Sequence, residues 1–261
     1  MTRTLAVANQ KGGVAKTTTV ISLGAAFAER GLRVLLVDLD AQSSLTFSVG
    51  VDPDEVEAGV HDLLTGAATA ADVVVTAEEG LDLLPSSIDL SAAESVLLPR
   101  ADREFVLRDA LAVIDGYDVV LLDCSPSLGV LTLNALAAAD EVLVPLQCEM
   151  LSHRGVGQLL DTIDDARRLL NPRLTIRGIL PTMFDARTVH TRAVLADVAE
   201  RYDVPVIQPS IPRSVRFAEA PALGRSVLTT AGTSKGAAAY REVAEALLTA
   251  WGLRPRRGDQ R

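Results

Sequence analysis

The run Asn9-Gln10-Lys11-Gly12-Gly13-Val14-Ala15-Lys16-Thr17-Thr18 follows an apolar segment, Leu5-Ala6-Val7-Ala8, and precedes Thr19 to Ala28, whose residues have helical spacing until Gly31. Buried strand, glycine-rich loop and helix in that order make a phosphate-binding loop. The glycines let backbone N–H groups turn onto phosphate oxygens, and the helix N-terminus adds partial positive charge. Lys16 is placed to reach the β- and γ-phosphates of a nucleotide, and the Thr17 hydroxyl to ligate magnesium. Two features depart from the general G-x-x-x-x-G-K-[ST] form. Ala15 stands where the second glycine belongs, and an additional lysine, Lys11, precedes the first. An alanine there predicts crowding in the loop or a backbone angle that a Cβ resists.

The 261 residues suffice for one large α/β domain with a sizeable core, expected over residues 1–252, followed by a disordered, Arg-rich tail over 253–261. The 48% apolar content with 3% aromatics suits Ala-, Val- and Leu-rich helices packed on a sheet. No run of about 18 apolar residues predicts a membrane span, and the N-terminus enters a strand at once with no leader pattern. Cys124 and Cys148 lack C-x-x-C spacing, which argues against a metal site or disulfide framework and for a reducing, cytoplasmic setting. The net charge of -9 is wrong for a chain that coats DNA as a monomer. DNA binding would need a local basic patch, concentrated by pairing two subunits.

Further apolar runs alternate with helical patterns. Arg33 to Asp38 reads as a buried strand that delivers Asp38-Leu39-Asp40-Ala41-Gln42 to the carboxyl edge of the sheet, where ligands of open α/β sheets bind. Tyr117 to Asp123 is another, ending in an acid able to hold magnesium directly or through water. Read alone, Asp123 is as readily a strand-end cap; the phosphate loop tips the reading toward metal. Glu141 to Leu146 and Thr175 to Thr182 add strands, and Ser152 to Leu170 and Lys235 to Trp251 add helices. Residues 52–100 are harder to read, with helical spacing at Val56 to Leu64 and Ser91 to Leu98 and short strands at Val73 to Val75 and Leu81 to Leu84. The pattern predicts a doubly wound, mostly parallel sheet with helices on both faces.

The motif K-G-G-x-x-K-[ST] resembles the deviant phosphate loop of the ParA/MinD ATPases. Asp123-Cys124-Ser125-Pro126-Ser127-Leu128-Gly129 resembles the switch segment of ParA proteins, with Ser125 in place of a proline. The stretch Ile211 to Pro221, with Asp185-Ala186-Arg187, is similar to Soj-like partition ATPases. The resemblance covers nearly the whole chain. It implies an ATP- and magnesium-dependent homodimer that binds double-stranded DNA without sequence preference, associates with the nucleoid, and hydrolyses ATP slowly when a ParB-type centromere-binding partner stimulates it. It implies that Lys11 reaches the partner subunit's phosphates across the dimer, beside Lys16 as a second catalytic lysine. It implies that Asp40 positions the attacking water and couples to the metal with Thr17 and Asp123. Gly12, Gly13, Val14, Ala15 and Thr18 complete the loop, and Met183, Pro209, Pro212 and Arg213 line the adenine. Arg187, Arg192, Arg216 and Arg225 form the expected basic patch. No aromatic residues are interleaved with them, so phosphate contact is the expected mode.

A MinD-like membrane-associated ATPase positioning cell division is the alternative. It needs a separate basic amphipathic helix at the end, whereas the last helix here carries Glu242 and Glu245 and the tail after Gly252 has almost no large apolar residue, so no stable membrane association is expected. An iron–sulfur scaffold of the same superfamily needs cluster-holding cysteines that Cys124 and Cys148 do not resemble. A non-enzymatic adaptor would follow if Ala15 prevented hydrolysis.

Overall fold

The computed structural model describes residues 2–78, 80–148, 152–185 and 187–254. In chain order they form β1 (Arg3–Val7), α1 (Lys16–Ala28), β2 (Val34–Leu39), α2 (Ser44–Ser48), α3 (Val60–Thr65), α4 (Ala70–Val73), β3 (Val75–Glu78), β4 (Leu81–Leu84), α5 (Leu90–Leu97), α6 (Val106–Leu111), β5 (Val119–Cys124), α7 (Val130–Ala138), β6 (Glu141–Gln147), α8 (Ser152–Leu169), β7 (Thr175–Thr182), α9 (Val189–Tyr202), α10 (Arg216–Glu219), α11 (Val227–Thr230) and α12 (Lys235–Trp251). The strands make one sheet in the order β3-β4-β2-β5-β1-β6-β7, parallel throughout except for β3 on β4. The chain winds outward from β1 to β2 and the β3–β4 pair, then returns through β5 and leaves the other way through β6 and β7. Such a reversal opens a crevice at the carboxyl ends of the strands.

Side chains sort by the two-residue period of the strands. Val34 and Leu36 of β2 face one core with Leu5, Val7, Val119 and Leu121, under α1 and α12. Leu35, Val37 and Leu39 face the other with Ala6, Val120, Leu122 and Val144, under α3, α5, α7 and α8. Burial on both faces is why these strands read as continuous apolar runs. α12 seats Tyr240, Val243, Leu247 and Trp251 against α1, with Phe27 and Trp251 ring centroids 5.6 Å apart. Two ion pairs at the rim, Arg241 with Glu29 and Arg30 with Glu245, join the same helices.

Most expected elements are present with ends shifted by a residue or two. The exception is Val73 to Val75. Residues 70–73 are helical because the Asp72 carboxylate accepts from the Thr69 backbone N–H and hydroxyl, a reciprocal start signal that outweighs three β-branched residues; the strand begins at Val75. The pattern at Val56 to Leu64 yields a helix only from Val60. The helices α6, α7 and α9 go beyond what the sequence pattern predicts. Residues 255–261 of the expected tail, and Ala186, lie outside the described residues.

Candidate nucleotide site

β1 delivers the loop to the crevice, and Asn9 anchors its start. Asn9 Nδ2 donates to the Pro145 carbonyl at 2.7 Å, while its Oδ1 accepts the Lys11 backbone N–H at 2.9 Å. Gly13 sits at φ +72° and Ala15 at φ +68°, ψ +35°, in the left-handed region. The angle that a Cβ resists is therefore present, at a cost of about 1–2 kcal/mol. Neighbours hold it there: Val14 is fully buried, its carbonyl accepts the Thr182 hydroxyl at 3.0 Å, and the Ala15 carbonyl accepts the Thr19 N–H at 3.0 Å. A Cβ built on Gly12 or Gly13 meets nothing within 4 Å, so the concave side of the loop is open.

Two carboxylates stand beside the loop. In the parallel register Asp38 pairs with Asp123, and Val7 pairs with Asp123 from the other side. Asp38 is fully buried and accepts the Thr46 N–H at 2.9 Å, the Thr46 hydroxyl at 2.8 Å and the Asp40 N–H at 3.2 Å. Burial raises its carboxyl to about 6, and the Thr46 hydrogen bonds restrain the rise. The hydroxyl of Thr46 accepts the Ser86 N–H, and the Ser86 hydroxyl donates to the Asp40 carbonyl, each at 2.9 Å. The exit of β4 thus braces the acid-bearing turn, a role that residues 52–100 do not advertise in sequence.

Asp123 is 1% exposed, and burial together with the Asp38 charge pushes its carboxyl well up. The Thr17 hydroxyl bonds it, yet Asp123 Oδ1 has no hydrogen-bond partner among the described residues. A buried carboxylate oxygen left open beside a threonine hydroxyl is what a divalent cation would satisfy. No group of three or more His, Cys, Asp or Glu suited to a metal lies among the described residues. Magnesium keeps waters and substrate phosphates rather than a protein cage, so one hydroxyl and one carboxylate oxygen suffice as its protein ligands. Lys16, 8% exposed, has its ammonium pulled down by burial and pushed back by Asp123 and Asp40; its Nζ lies 3.4 Å from the Lys11 carbonyl.

Lys16, Thr17 and Asp40 line a cleft of about 520 Å³, with Asp38 and Asp123 buried and off its walls; the volume is within the usual range for a small-molecule site. Its walls include Gly12, Gly13, Ala15, Lys16, Thr17, Thr18, Asp40, Met183, Pro212 and Arg213. The far wall forms because the Phe184 N–H donates to the Ile211 carbonyl at 2.9 Å, and a short bridge pairs Phe184 with Pro212. Val14 lies beneath the loop, and Lys11 and Pro209 are off the cleft wall; Pro209 follows the cis Gln208–Pro209 bond. Arg187, Arg192, Arg216 and Arg225 are all exposed, and Arg225 also lines the cleft. The sequence does not single out Ser44, Ser48, Phe217 and Tyr240, which also lie on its walls; Ser44, Ser48 and Tyr240 sit in no local motif, and Phe217 occupies an unspecified position of the Ile211–Pro221 stretch.

The AAA domain family matches residues 2–176. The chromosome-partitioning ATPase Soj of Thermus thermophilus is 48% identical, over 94% of this chain and 95% of the relative. The sporulation initiation inhibitor protein Soj of Bacillus subtilis is 43% identical, over 94% and 98%. A Mycobacterium smegmatis protein named cobyrinic acid a,c-diamide synthase, solved with an ATP analogue and magnesium, superposes with a TM-score of 0.87 at 56% identity, covering 97% of this chain and 96% of that one. A phosphate loop with an additional lysine, beside a buried acid, in a chain matched along almost its full length by these relatives, gives one conclusion: the chain belongs to the ParA/Soj family of P-loop ATPases.

Proposed function

We propose that this chain is a nucleotide-switched DNA-partitioning ATPase, working as one unit over residues 1–252. ATP with magnesium binds in the cleft, two subunits pair around it, and the pair binds double-stranded DNA without sequence preference on the nucleoid until a ParB-type partner stimulates hydrolysis. The observation that carries this reading is the assembly of Lys16, Thr17 and Asp40 on the walls of one cleft, with the buried Asp123 carboxylate bonded to the Thr17 hydroxyl behind them. Thr17 and Asp123 would hold the magnesium, which supplies charge neutralisation at the phosphates. Lys16 binds the phosphate tail. Asp40, whose Oδ1 accepts the Gln42 N–H at 3.0 Å, orients the attacking water. Lys11 serves the partner subunit's nucleotide, and Arg187, Arg192 and Arg216 meet DNA phosphates.

Two other readings are weaker. A MinD-like membrane cycle needs an amphipathic helix free to leave the domain, yet α12 spends its apolar face on α1, and no described helix is long and apolar enough to cross a membrane. An amide-forming enzyme, as the M. smegmatis relative is named, could activate a carboxylate with ATP but also needs an ammonia source. Neither cysteine is placed as a glutaminase nucleophile: both are buried, which closes off their thiols and pushes their titration up. The test is ATP turnover with and without DNA, paired with gel shifts on unrelated duplexes in ATP, in ADP and without nucleotide. Binding confined to ATP supports the proposal. Equal binding in all three states, or a strong preference for one sequence, rejects it.

A further inference from the structure

Four of the arginines of residues 185–225 fall into two groups. Arg187 donates to Asp185 at 2.9 and 3.0 Å and Arg216 to Glu219 at 2.8 Å, both on the surface. Arg213 and Arg225 line the cleft, and neither guanidinium has an ion-pair or hydrogen-bond partner among the described residues. The acid on the neighbouring edge, Glu78, is engaged elsewhere: it accepts the Ser226 N–H at 3.4 Å and the Thr229 hydroxyl at 3.1 Å.

The cleft inverts the charge of the whole molecule. A chain of net charge -9 puts Lys16, Arg213 and Arg225 along these walls against a single carboxylate, Asp40. Three cations facing one concave volume suit a polyanionic ligand. The backbone around Arg225 is built to hold it there. Gly224, at φ +63°, caps the preceding turn and packs against Gly50 so closely that a Cβ on it would lie 2.8 Å from the Gly50 Cα. On the other side, Ser226 caps α11, its hydroxyl accepting the Thr229 N–H at 3.2 Å. The arginine therefore projects from a turn fixed at both ends, facing the same space as the phosphate loop.

We propose that Arg225 is a nucleotide-binding residue whose guanidinium engages the anionic part of the bound nucleoside triphosphate, and that it is not a DNA-phosphate contact. The inference rests on the reading of the cleft as the nucleotide site. Calorimetry of the full chain with ATP and magnesium tests it on Arg225→Ala, Arg225→Lys and Lys16→Ala. Gel shifts at saturating ATP on Arg225→Ala and Arg216→Glu complete the test. Arg225→Ala should weaken ATP about tenfold, the low end for a hydrogen bond between charged groups. Arg225→Lys should lie between it and the wild type, and DNA binding of Arg225→Ala at saturating ATP should stay within about twofold of the wild type, the tolerance we set for a residue off the DNA. An unchanged ATP affinity in folded Arg225→Ala, with Lys16→Ala still impaired, overturns the proposal and leaves the cleft assignment standing. So does a DNA defect in Arg225→Ala that saturating ATP does not repair. Unchanged affinity in Lys16→Ala as well brings down the cleft assignment itself.

Discussion

Asp38 and Asp123 stand side by side at the buried ends of β2 and β5, whereas Arg187 and Arg216 stand at the surface, each with an acid two or three residues away. The buried acids are held in place by backbone and hydroxyl donors, and one oxygen accepts from no group among the described residues. Their charge is costly because water has been removed, so it answers strongly to a cation placed beside it. The surface arginines are already paired, as in Arg187, whose hydrogen bonds hold the Asp185 carboxyl down at about 2. Such pairs lie in water, contribute little and exchange readily for another anion. Burial thus fits one region for a single tight, geometrically defined ligand. On the proposed function, exposure suits the other to many weak, interchangeable phosphates.

The largest effect should come from the buried end. Asp40→Ala should lower ATP turnover by about 10²–10⁴, the usual range for a positioned acid–base group, while ATP affinity measured by calorimetry stays near the wild type. A variant that hydrolyses normally removes Asp40 from the chemistry. Lys16→Ala should weaken ATP by about 100-fold or more, since the substitution removes a charge-assisted hydrogen bond to phosphate from a buried setting; retained affinity would contradict the contrast between the two regions.

The pH response sharpens it further. Asp38 has a carboxyl near 3.9 in an unfolded chain and about 6 in the fold. The folded protein therefore binds this proton more tightly than the unfolded chain does. Raising pH from about 4 to 6 removes stability, roughly 3 kcal/mol for this group alone, and the cost is complete above about 6. Denaturant titrations of nucleotide-free protein at pH 4.5 and 6.5 should show a smaller loss in Asp38→Asn. An identical loss would mean that the buried acid is not the source.

Effects at the exposed end should be smaller and salt-sensitive. Arg216→Glu should weaken DNA binding and lower the log–log salt slope by about 0.9 for each phosphate that is no longer neutralised, with ATP-dependent dimerisation intact by sedimentation. A salt-independent defect would place Arg216 outside the electrostatic surface. The smallest effect belongs to Ala15→Gly. It relieves a left-handed Cβ worth about 1–2 kcal/mol but adds unfolded-chain entropy worth about 0.4–1 kcal/mol. The midpoint of thermal unfolding should rise by no more than a few degrees, and a fall would show that the loop is not strained at Ala15.

Features that depend on neighbours along the chain are legible in the residues alone. Residues 9–18 announced a loop between strand and helix because glycine, lysine and threonine at those spacings leave few other uses. Apolar runs announced strands buried on both faces, and Asp40 and Asp123 were found because each follows such a run. Even the left-handed Ala15 was foreseeable, since it occupies a position that suits glycine. Contacts between partners far apart in sequence are set by the fold and leave no local trace. Nothing near Asp38 indicates that Thr46 and Ser86 brace it. Nothing near Tyr240 indicates that its hydroxyl meets Thr19 at 2.9 Å behind the loop. Arg216 and Arg225 carry the same charge nine positions apart, yet one points to solvent beside Glu219 and the other faces the cleft. Charge and spacing are local properties; which volume a side chain faces is set by packing across the sheet, and it is that packing which separates the two arginines.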